Sequence, residues 1–471
     1  MDYKKQLVWI FLFLAVTVRS YGQSVSMYFP KFAGKTYDFI LFEGHDTKVQ
    51  KGTIPTDGRF VLEVPKELSP YKGMSRWLIT GTQEGGGLDM IIPGHDFSIE
   101  CVSAVPDNKN IIYKSNNENA LLDSLYEHQK SIIDKYMAMK MVTNSYTKED
   151  KNFALYQGEL NVQKDKYAEF QKQLQKKQDY PSSYIPLVNI TNGMGSALKD
   201  TEEENKKELI RTMTEDIRWD ALYTSGNWDG VIGMFTELED KTDGGIGFAR
   251  DFKTIGGRIS DKMLYTSFAE RVTYYLTKAG RDDVMTHLSP VIRSSGKITS
   301  YDGVLSVYQK AVIGSKAPDV MITPNKNSTA SSGKVDLSDG KYQKTLLVFY
   351  QSGCGHCDTV MNDIVSKQDE LIKNNIRLIA ISADTDKKVF EETSAKLNWK
   401  GIVSCDLQGM KGPNFMNYGV QATPTLFTMD EKGNILTRGS ATLPILNDLL
   451  GPSKELWRKI RKPPRPWVPE K

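Results

Sequence analysis

Cysteine and histidine are scarce in this chain: 471 residues hold four of one and five of the other. Cys101, Cys354, Cys357 and Cys405 are far too few to staple a scaffold of this length with disulfides. They also argue against a closed zinc site, which takes four ligands, because there is no second Cys-x-x-Cys and no matching histidine pair. His45, His95, His128 and His287 lie scattered without ligand spacing and read as surface or locally hydrogen-bonded side chains. No metal or other cofactor is expected. An excess of one charge is lacking as well, since 61 Lys and Arg face 58 Asp and Glu for a net +3. That balance supplies no field for nucleic acid or an anionic membrane. Beyond the N-terminus nothing is long and apolar enough to span a bilayer, which takes roughly 20 residues.

Apolar residues do concentrate at the start. Met1 to Lys5 are positively charged, Leu7 to Val18 form an almost unbroken apolar run, and Ser20-Tyr21-Gly22 places small residues ahead of a cut before Gln23. The pattern is that of a signal peptide over residues 1–22. Losing Lys4, Lys5, Arg19 and Asp2 with it leaves a net +1. No cysteine follows the cut, so lipid attachment there is not expected. The mature chain is expected to be soluble, exported to the periplasm or cell envelope of a bacterium, and without a transmembrane segment.

A mature chain of this length predicts about three domains. Residues 24–105 carry β patterning. Val25, Met27 and Phe29 alternate; Tyr37 to Phe42, Val49 to Ile54, Arg59 to Val64, Trp77 to Thr80, Met90 to Ile92 and Phe97 to Val102 follow. Thr56-Asp57-Gly58 supplies a turn, and a small antiparallel sandwich or barrel is expected. Residues 108–310 read as a helical bundle. Phe153, Tyr156, Leu160, Tyr167, Phe170 and Leu174 make a stripe broken only by Gln163, ending near Pro181. Leu121, Leu122, Leu125, Ile132, Ile133 and Tyr136 mark an antiparallel partner helix, capped by Asn116 or Asn119. Further helices are expected near Glu203 to Tyr223, Trp228 to Leu238, Asp261 to Thr277 and Asp282 to Arg293. The aromatic stripe is read as core rather than ligand box.

After a Ser/Asn/Thr-rich loop over 325–333, strands alternate with helices, the mark of a sheet with crossover connections. Strands are expected at Leu346 to Tyr350, Ile376 to Ser382, Gly401 to Ser404, Thr425 to Met429 and Asn434 to Thr437. Helices are expected at Cys357 to Lys373 with Val360, Met361, Ile364, Leu371 and Ile372 inward, through Val389, Phe390 and Leu397, and at Leu443 to Leu450. Residues 452–471 form a basic, proline-rich tail with Trp457 and Trp467.

Cys354-Gly355-His356-Cys357 directly follows the apolar run Thr345 to Tyr350. Two thiols three positions apart at a strand-to-helix junction can close a small disulfide and reopen it. A helix beginning there aims unpaired N–H groups and its positive dipole end at the first sulfur, favouring the thiolate that performs disulfide exchange. A purely structural bridge across so small a loop gains little chain-entropy stability.

In these segments the chain resembles the thioredoxin superfamily, in particular the TlpA/ResA and AhpC/TSA-like exported thiol–disulfide oxidoreductases. The likeness covers 314–451. Gly314-Ser315-Lys316-Ala317-Pro318-Asp319 resembles the opening motif of that group, and Val420-Gln421-Ala422-Thr423-Pro424-Thr425-Leu426-Phe427 its cis-proline segment. The fold class implied is α/β: a C-terminal thioredoxin fold preceded by a small antiparallel β domain and a helical bundle domain. The resemblance implies that Cys354 attacks and Cys357 resolves, that Gly355 and His356 modulate, and that Thr423 and Pro424 lie beside the disulfide to receive an extended substrate segment. His356 would favour the Cys354 thiolate. The same Gly-His dipeptide occurs in protein disulfide isomerase, whose potential lies about 90 mV above that of thioredoxin. Implied partners are protein disulfides or dithiols of the envelope and an upstream redox partner.

Departures from the pattern bear on proton transfer. Val348 stands where thioredoxins carry a buried aspartate, Val360 where some ResA-like proteins carry a glutamate, and Gly353 where tryptophan is usual. Asp358 is a candidate proton partner for Cys357, although a first-turn acid at a helix end is the plainer reading. Cys405 and Cys101 each end a strand and read as inert thiols, with pairing between them left open. Two other functions stay open: a non-enzymatic envelope binding protein using the thioredoxin and helical domains as scaffold, and a thiol peroxidase. The second fits poorly, because Leu347 and Gln351 stand where a peroxiredoxin has the Pro and Thr of its Pro-x-x-x-Thr-x-x-Cys loop.

Overall fold

The structure is a computed structural model and describes residues 22–81, 86–107, 109–238, 245–323 and 332–451. The expected leader, apart from Gly22, and the basic tail lie outside these residues, as does most of the loop expected over 325–333. The chain folds as two compact units. One is formed by the chain up to His128 with Gln178–Ser182, the other by Gln129–Lys177 and the chain from Ser183 onward.

Among the described residues the first unit holds eight strands: β1 (Ser24–Tyr28), β2 (Thr36–Glu43), β3 (Asp46–Thr53), β4 (Arg59–Glu63), β5 (Lys72–Thr80), β6 (Gly87–Pro93), β7 (Phe97–Glu100) and β8 (Ile112–Lys114). They form two four-stranded sheets, ordered β4-β1-β7-β8 and β3-β2-β5-β6. Val25, Met27 and Phe29 point inward as their alternation requires, and join Phe39, Leu41, Leu62, Met90, Ile92 and Ile99 in one core. Pairing is antiparallel except between β1 and β7, which run parallel. The turn at Thr56-Asp57-Gly58 is a corner rather than a hairpin, because β3 and β4 belong to different sheets. Gly58 has a left-handed φ of 73°, and a Cβ there would stand 2.4 Å from Pro30 Cα. β8 was not expected; it adds to the edge of the first sheet, so helix begins only at Glu118.

β6 is the outer strand of its sheet, which leaves backbone groups to satisfy. Asn119 Oδ1 accepts the Ile91 N–H at 3.0 Å, and Asn116 Nδ2 donates to the Ile91 carbonyl at 2.9 Å. Asn116 is also the cap, its Oδ1 accepting the Glu118 N–H at 3.0 Å. Of the two cap candidates, then, Asn119 serves the sheet instead.

Helix α1 (Glu118–Ser145) starts in the first unit, followed in the second by α2 (Phe153–Gln175). They run antiparallel, with Gln171 of α2 donating to Gln129 of α1 at 2.9 Å. Gln129 also exchanges two amide hydrogen bonds with Asn189, at 2.8 and 2.9 Å. This buried trio ties both helices to α3 (Tyr180–Thr191). The stripe from Leu160 to Leu174 is buried, including Gln163, whose amide donates to Glu159. Pro181 does not end α2; it opens α3, where Asp179 accepts the Ser182 N–H at 2.9 Å, since an N-terminal proline forfeits no helical bond. α4 (Glu202–Arg211), α5 (Trp219–Tyr223), α6 (Trp228–Glu237), α7 (Ile246–Arg258), α8 (Lys262–Lys278) and α9 (Asp282–Ser294) complete this segment. α7 was missed, and a π-helical turn at Thr212–Asp216 splits the single helix expected over Glu203 to Tyr223.

The remainder is a thioredoxin-like α/β region within a mixed α/β chain. A short hairpin of β9 (Val320–Ile322) and β10 (Gly333–Val335), also unexpected, precedes it. Then come β11 (Lys344–Tyr350), α10 (Gly355–Lys373), β12 (Ile376–Ser382), α11 (Lys387–Lys396), β13 (Ile402–Ser404), α12 (Pro413–Tyr418), β14 (Thr425–Asp430), β15 (Ile435–Gly439) and α13 (Thr442–Leu450). The sheet order is β13-β12-β11-β14-β15, with β11, β12 and β13 parallel and β14 antiparallel to both its neighbours, β11 and β15. β11 is central and covered on both faces, which is why it reads as a continuous apolar run. Leu346, Val348 and Tyr350 pack under α10 and α13, while Leu347 and Phe349 meet Phe415 and Tyr418 of α12 on the other side. One residue expected inward on the flanking helices is not: Ile372 is 44% exposed.

Within the second unit the helices meet the α/β region at β15. Arg438 lies 3.6 Å from Asp282, the first residue of α9, and the two side chains are only 10% and 13% exposed. Burial pushes the Asp282 carboxyl up from its ordinary range, against the pull of Arg438.

The Asn119 contact is testable. Asn119→Ala leaves the buried Ile91 N–H without its acceptor, and urea denaturation is expected to show a loss of about 1–3 kcal/mol. Val102→Ala, at an exposed position of the same unit, is expected to change stability by less than about 0.5 kcal/mol. Equal effects would show that the Ile91 contact contributes nothing.

Candidate active site

β11 ends at Tyr350, and three loop residues carry the chain to Cys354, the N-cap of α10. The Cys354 sulfur occupies the place of a capping oxygen, accepting the Cys357 N–H at 3.3 Å. Its backbone carbonyl takes the Asp358 N–H at 2.9 Å, so the first turn closes around it. Cys354 is partly exposed and Cys357 is buried; both are free thiols. The helix expected from Cys357 thus starts two residues earlier, with Gly355 first, and a Cβ at Gly355 would meet open space. Gly353 sits exposed with φ at 73°, a left-handed conformation that favours glycine over the usual tryptophan.

Cys357 belongs to the buried cluster that also holds Val348, Val360, Met361 and Leu446. Burial, reinforced by hydrogen bonding to Cys354, pushes it up to about 11. The backbone of Gln351 and the side chain of Thr423 pull the other way without offsetting it. Val348 and Val360 put hydrocarbon rather than a carboxylate into that cluster. Asp358 is exposed in the first turn, as its position suggests.

The structure brings Thr423 and Pro424 to this site. The Thr423–Pro424 bond is cis, and the Cys354 S–H points to the Thr423 carbonyl, with sulfur and oxygen 3.9 Å apart. His356 is exposed, and its Nε2 lies 3.4 Å from the Ser440 carbonyl between β15 and α13. The histidine therefore turns to that loop for its hydrogen bond rather than to the Cys354 sulfur. Cys405 is buried beyond β13 and donates to the Asp384 carbonyl at 3.2 Å, with its pKa raised by burial, as suits an inert thiol. Cys101 donates to Asn110 Oδ1 at 3.3 Å. Among the described residues no three His, Cys, Asp or Glu side chains converge as a metal site would need. No described helix is long and apolar enough to cross a membrane.

Two contributors escaped the sequence reading: Ser440, and the pair Ser352 and Asp384, which are hydrogen-bonded across the ends of β11 and β12. The available signal was position, since polar residues just past the C-terminal ends of parallel strands line the edge where such sheets hold their sites.

Residues 313–438 match the AhpC/TSA family. Over 122 residues the chain is 29% identical to the thioredoxin-like protein YneN of Bacillus subtilis, covering 26% of this chain and 68% of that protein. A thiol-disulfide oxidoreductase from Bacteroides fragilis is similar at 26% identity, over 29% of this chain and 99% of its own, with a TM-score of 0.25. A thioredoxin-like protein from Bacteroides caccae is similar at 14% identity, over 53% of this chain and 94% of its own, with a TM-score of 0.35. The AhpC/TSA-like region contains Cys354, Cys357, Thr423 and Pro424.

The raised Cys357 pKa fixes a pH dependence. Folding holds the proton on this thiol up to about pH 11, against about 9 for an ordinary thiol, so between those values the folded chain binds more proton than the unfolded one. The resulting stability is complete below about pH 9 and is lost as pH rises through 11. Urea melts of reduced protein at pH 8 to 11 should show wild type losing stability faster than Cys357→Ala. Parallel losses in the two proteins would refute the burial effect.

Proposed function

We propose that this chain is an exported thiol–disulfide oxidoreductase that exchanges its Cys354–Cys357 pair with disulfides or dithiols of envelope proteins. The observation that carries this reading is the asymmetry of the pair. One sulfur caps a helix N-terminus within reach of solvent, and the other lies buried three residues behind it. Export rests on the apolar leader from Leu7 to Val18.

In the reducing direction the Cys354 thiolate attacks one sulfur of a substrate disulfide. That S–S bond breaks, a mixed disulfide forms, and the other substrate sulfur leaves as a thiolate that takes up a proton. Cys357 then gives up its proton and attacks the Cys354 sulfur. The Cys354–Cys357 bond forms, the second substrate thiol departs, and two electrons have passed to the substrate. Oxidation of a substrate dithiol is the same sequence reversed, and an upstream dithiol or disulfide partner resets the pair. The Thr423 carbonyl beside the Cys354 sulfur supports a substrate backbone lying along Thr423 and Pro424. The Thr423 hydroxyl is a neutral side chain hydrogen-bonded at the Cys357 thiol, lowering its pKa against burial. Its place at that thiol supports a role as relay.

Cys357→Ala is expected to trap mixed disulfides through Cys354 in envelope extracts, visible as adducts that a reductant dissolves. Cys354→Ser should trap none through this sulfur and should reduce a model disulfide at least about 10³-fold more slowly. The reading fails if the wild type neither reduces nor oxidises a model disulfide and Cys357→Ala yields no adduct.

A further inference from the structure

Asp384 is a buried carboxylate that the exchange chemistry does not use. It follows β12 by two residues and is only 5% exposed. Its Oδ1 accepts the Ser352 backbone N–H at 3.0 Å; its Oδ2 accepts the Ser352 hydroxyl at 2.6 Å and the Ser382 hydroxyl at 2.7 Å. The Asp384 N–H in turn donates to the Ser382 hydroxyl at 3.0 Å, fixing the carboxylate's own loop. A buried carboxylate costs free energy unless its oxygens are well bonded, and bonds to an ionised acceptor are roughly twice as strong as neutral ones. Two of the three bonds the carboxylate accepts come from one loop residue, Ser352, held by both its backbone and its side chain.

That residue lies two positions before Cys354. Only Gly353 intervenes, exposed, left-handed and without a side chain to hold it. The preceding anchor is the Tyr350 carbonyl, which accepts the Ala383 N–H at 2.8 Å. The placement of the Cys354 sulfur over the Cys357 N–H therefore depends on where Ser352 is held. We propose that Asp384 is a positioning residue for Cys354, setting the reactivity of that sulfur by clamping Ser352. The inference rests on Cys354 being the reactive thiol of the pair.

The test is the rate at which iodoacetamide alkylates Cys354 in the reduced full-length chain at pH 7, read by mass spectrometry. It is paired with the equilibrium of the dithiol against glutathione. Asp384→Ala is expected to slow alkylation at least tenfold and to make the disulfide at least tenfold harder to reduce, a potential about 30 mV more negative. Asp384→Asn keeps an acceptor for the Ser352 N–H and is expected to restore most of both. Ser352→Ala loses only the hydroxyl bond and should slow alkylation at least threefold; at this partly exposed position it decides the matter should Asp384→Ala not fold. Wild-type rates and potentials in folded Asp384→Ala, or in Ser352→Ala alone, overturn the assignment of Asp384 and leave the exchange function standing. A wild-type Cys354 that reacts no faster than a free cysteine overturns the exchange function itself.

Discussion

The arrangement of the two paired cysteines depends on one N–H aimed at one sulfur. The first turn of α10 cannot satisfy its own amide hydrogens, and the Cys354 sulfur stands where a serine or aspartate oxygen would otherwise cap them. The same turn carries Cys357 inward, so a single stretch of helix sorts two identical thiols into an accessible one and an enclosed one. Neither property belongs to cysteine as such. Both come from the point at which the helix begins.

That point is fixed by the sheet. β11 is covered on both faces and paired on both edges up to Phe349, and Tyr350 at its end is buried and still paired with Ser382 of β12. The three residues after it have little to pack against. Their geometry is settled by polar contacts reaching across from the end of β12, a division of labour common where rigid strands deliver a reactive group to an edge. β14 approaches from the other side and brings Thr423 and Pro424 to the same sulfur.

The sequence made the α/β region legible because its signals are local. Continuous apolar runs mark strands buried on both faces, and the spacing of Val360, Met361, Ile364 and Leu371 marks the inner face of α10. What escaped was decided by partners remote in sequence. Asn119 has the makings of a cap, yet Ile91, 28 residues away, claims it. Ser352 and Asp384 are 32 apart, and His356 and Ser440 are 84 apart. Pro181 was misread for a different reason: proline both stops helices and starts them, and the Asp179 cap settles which. Ile372 obeys the helical period only loosely and lies at the last turn, where the face that counts as inward is already ending.

The ion pair between Arg438 and Asp282 bears on whether the C-terminal region is autonomous. Arg438 belongs to β15, but the carboxylate that answers its charge comes from α9, outside the stretch shared with the AhpC/TSA family. Excised alone as residues 313–451, the C-terminal region would carry a guanidinium stripped of its counter-charge, and Ser440, which receives the His356 ring, would lose the α8–α9 turn at Gly280 beside it. The helices are thus part of the electrical insulation of the α/β region, and a free-standing version of it would be a different molecule at the edge nearest its cysteines.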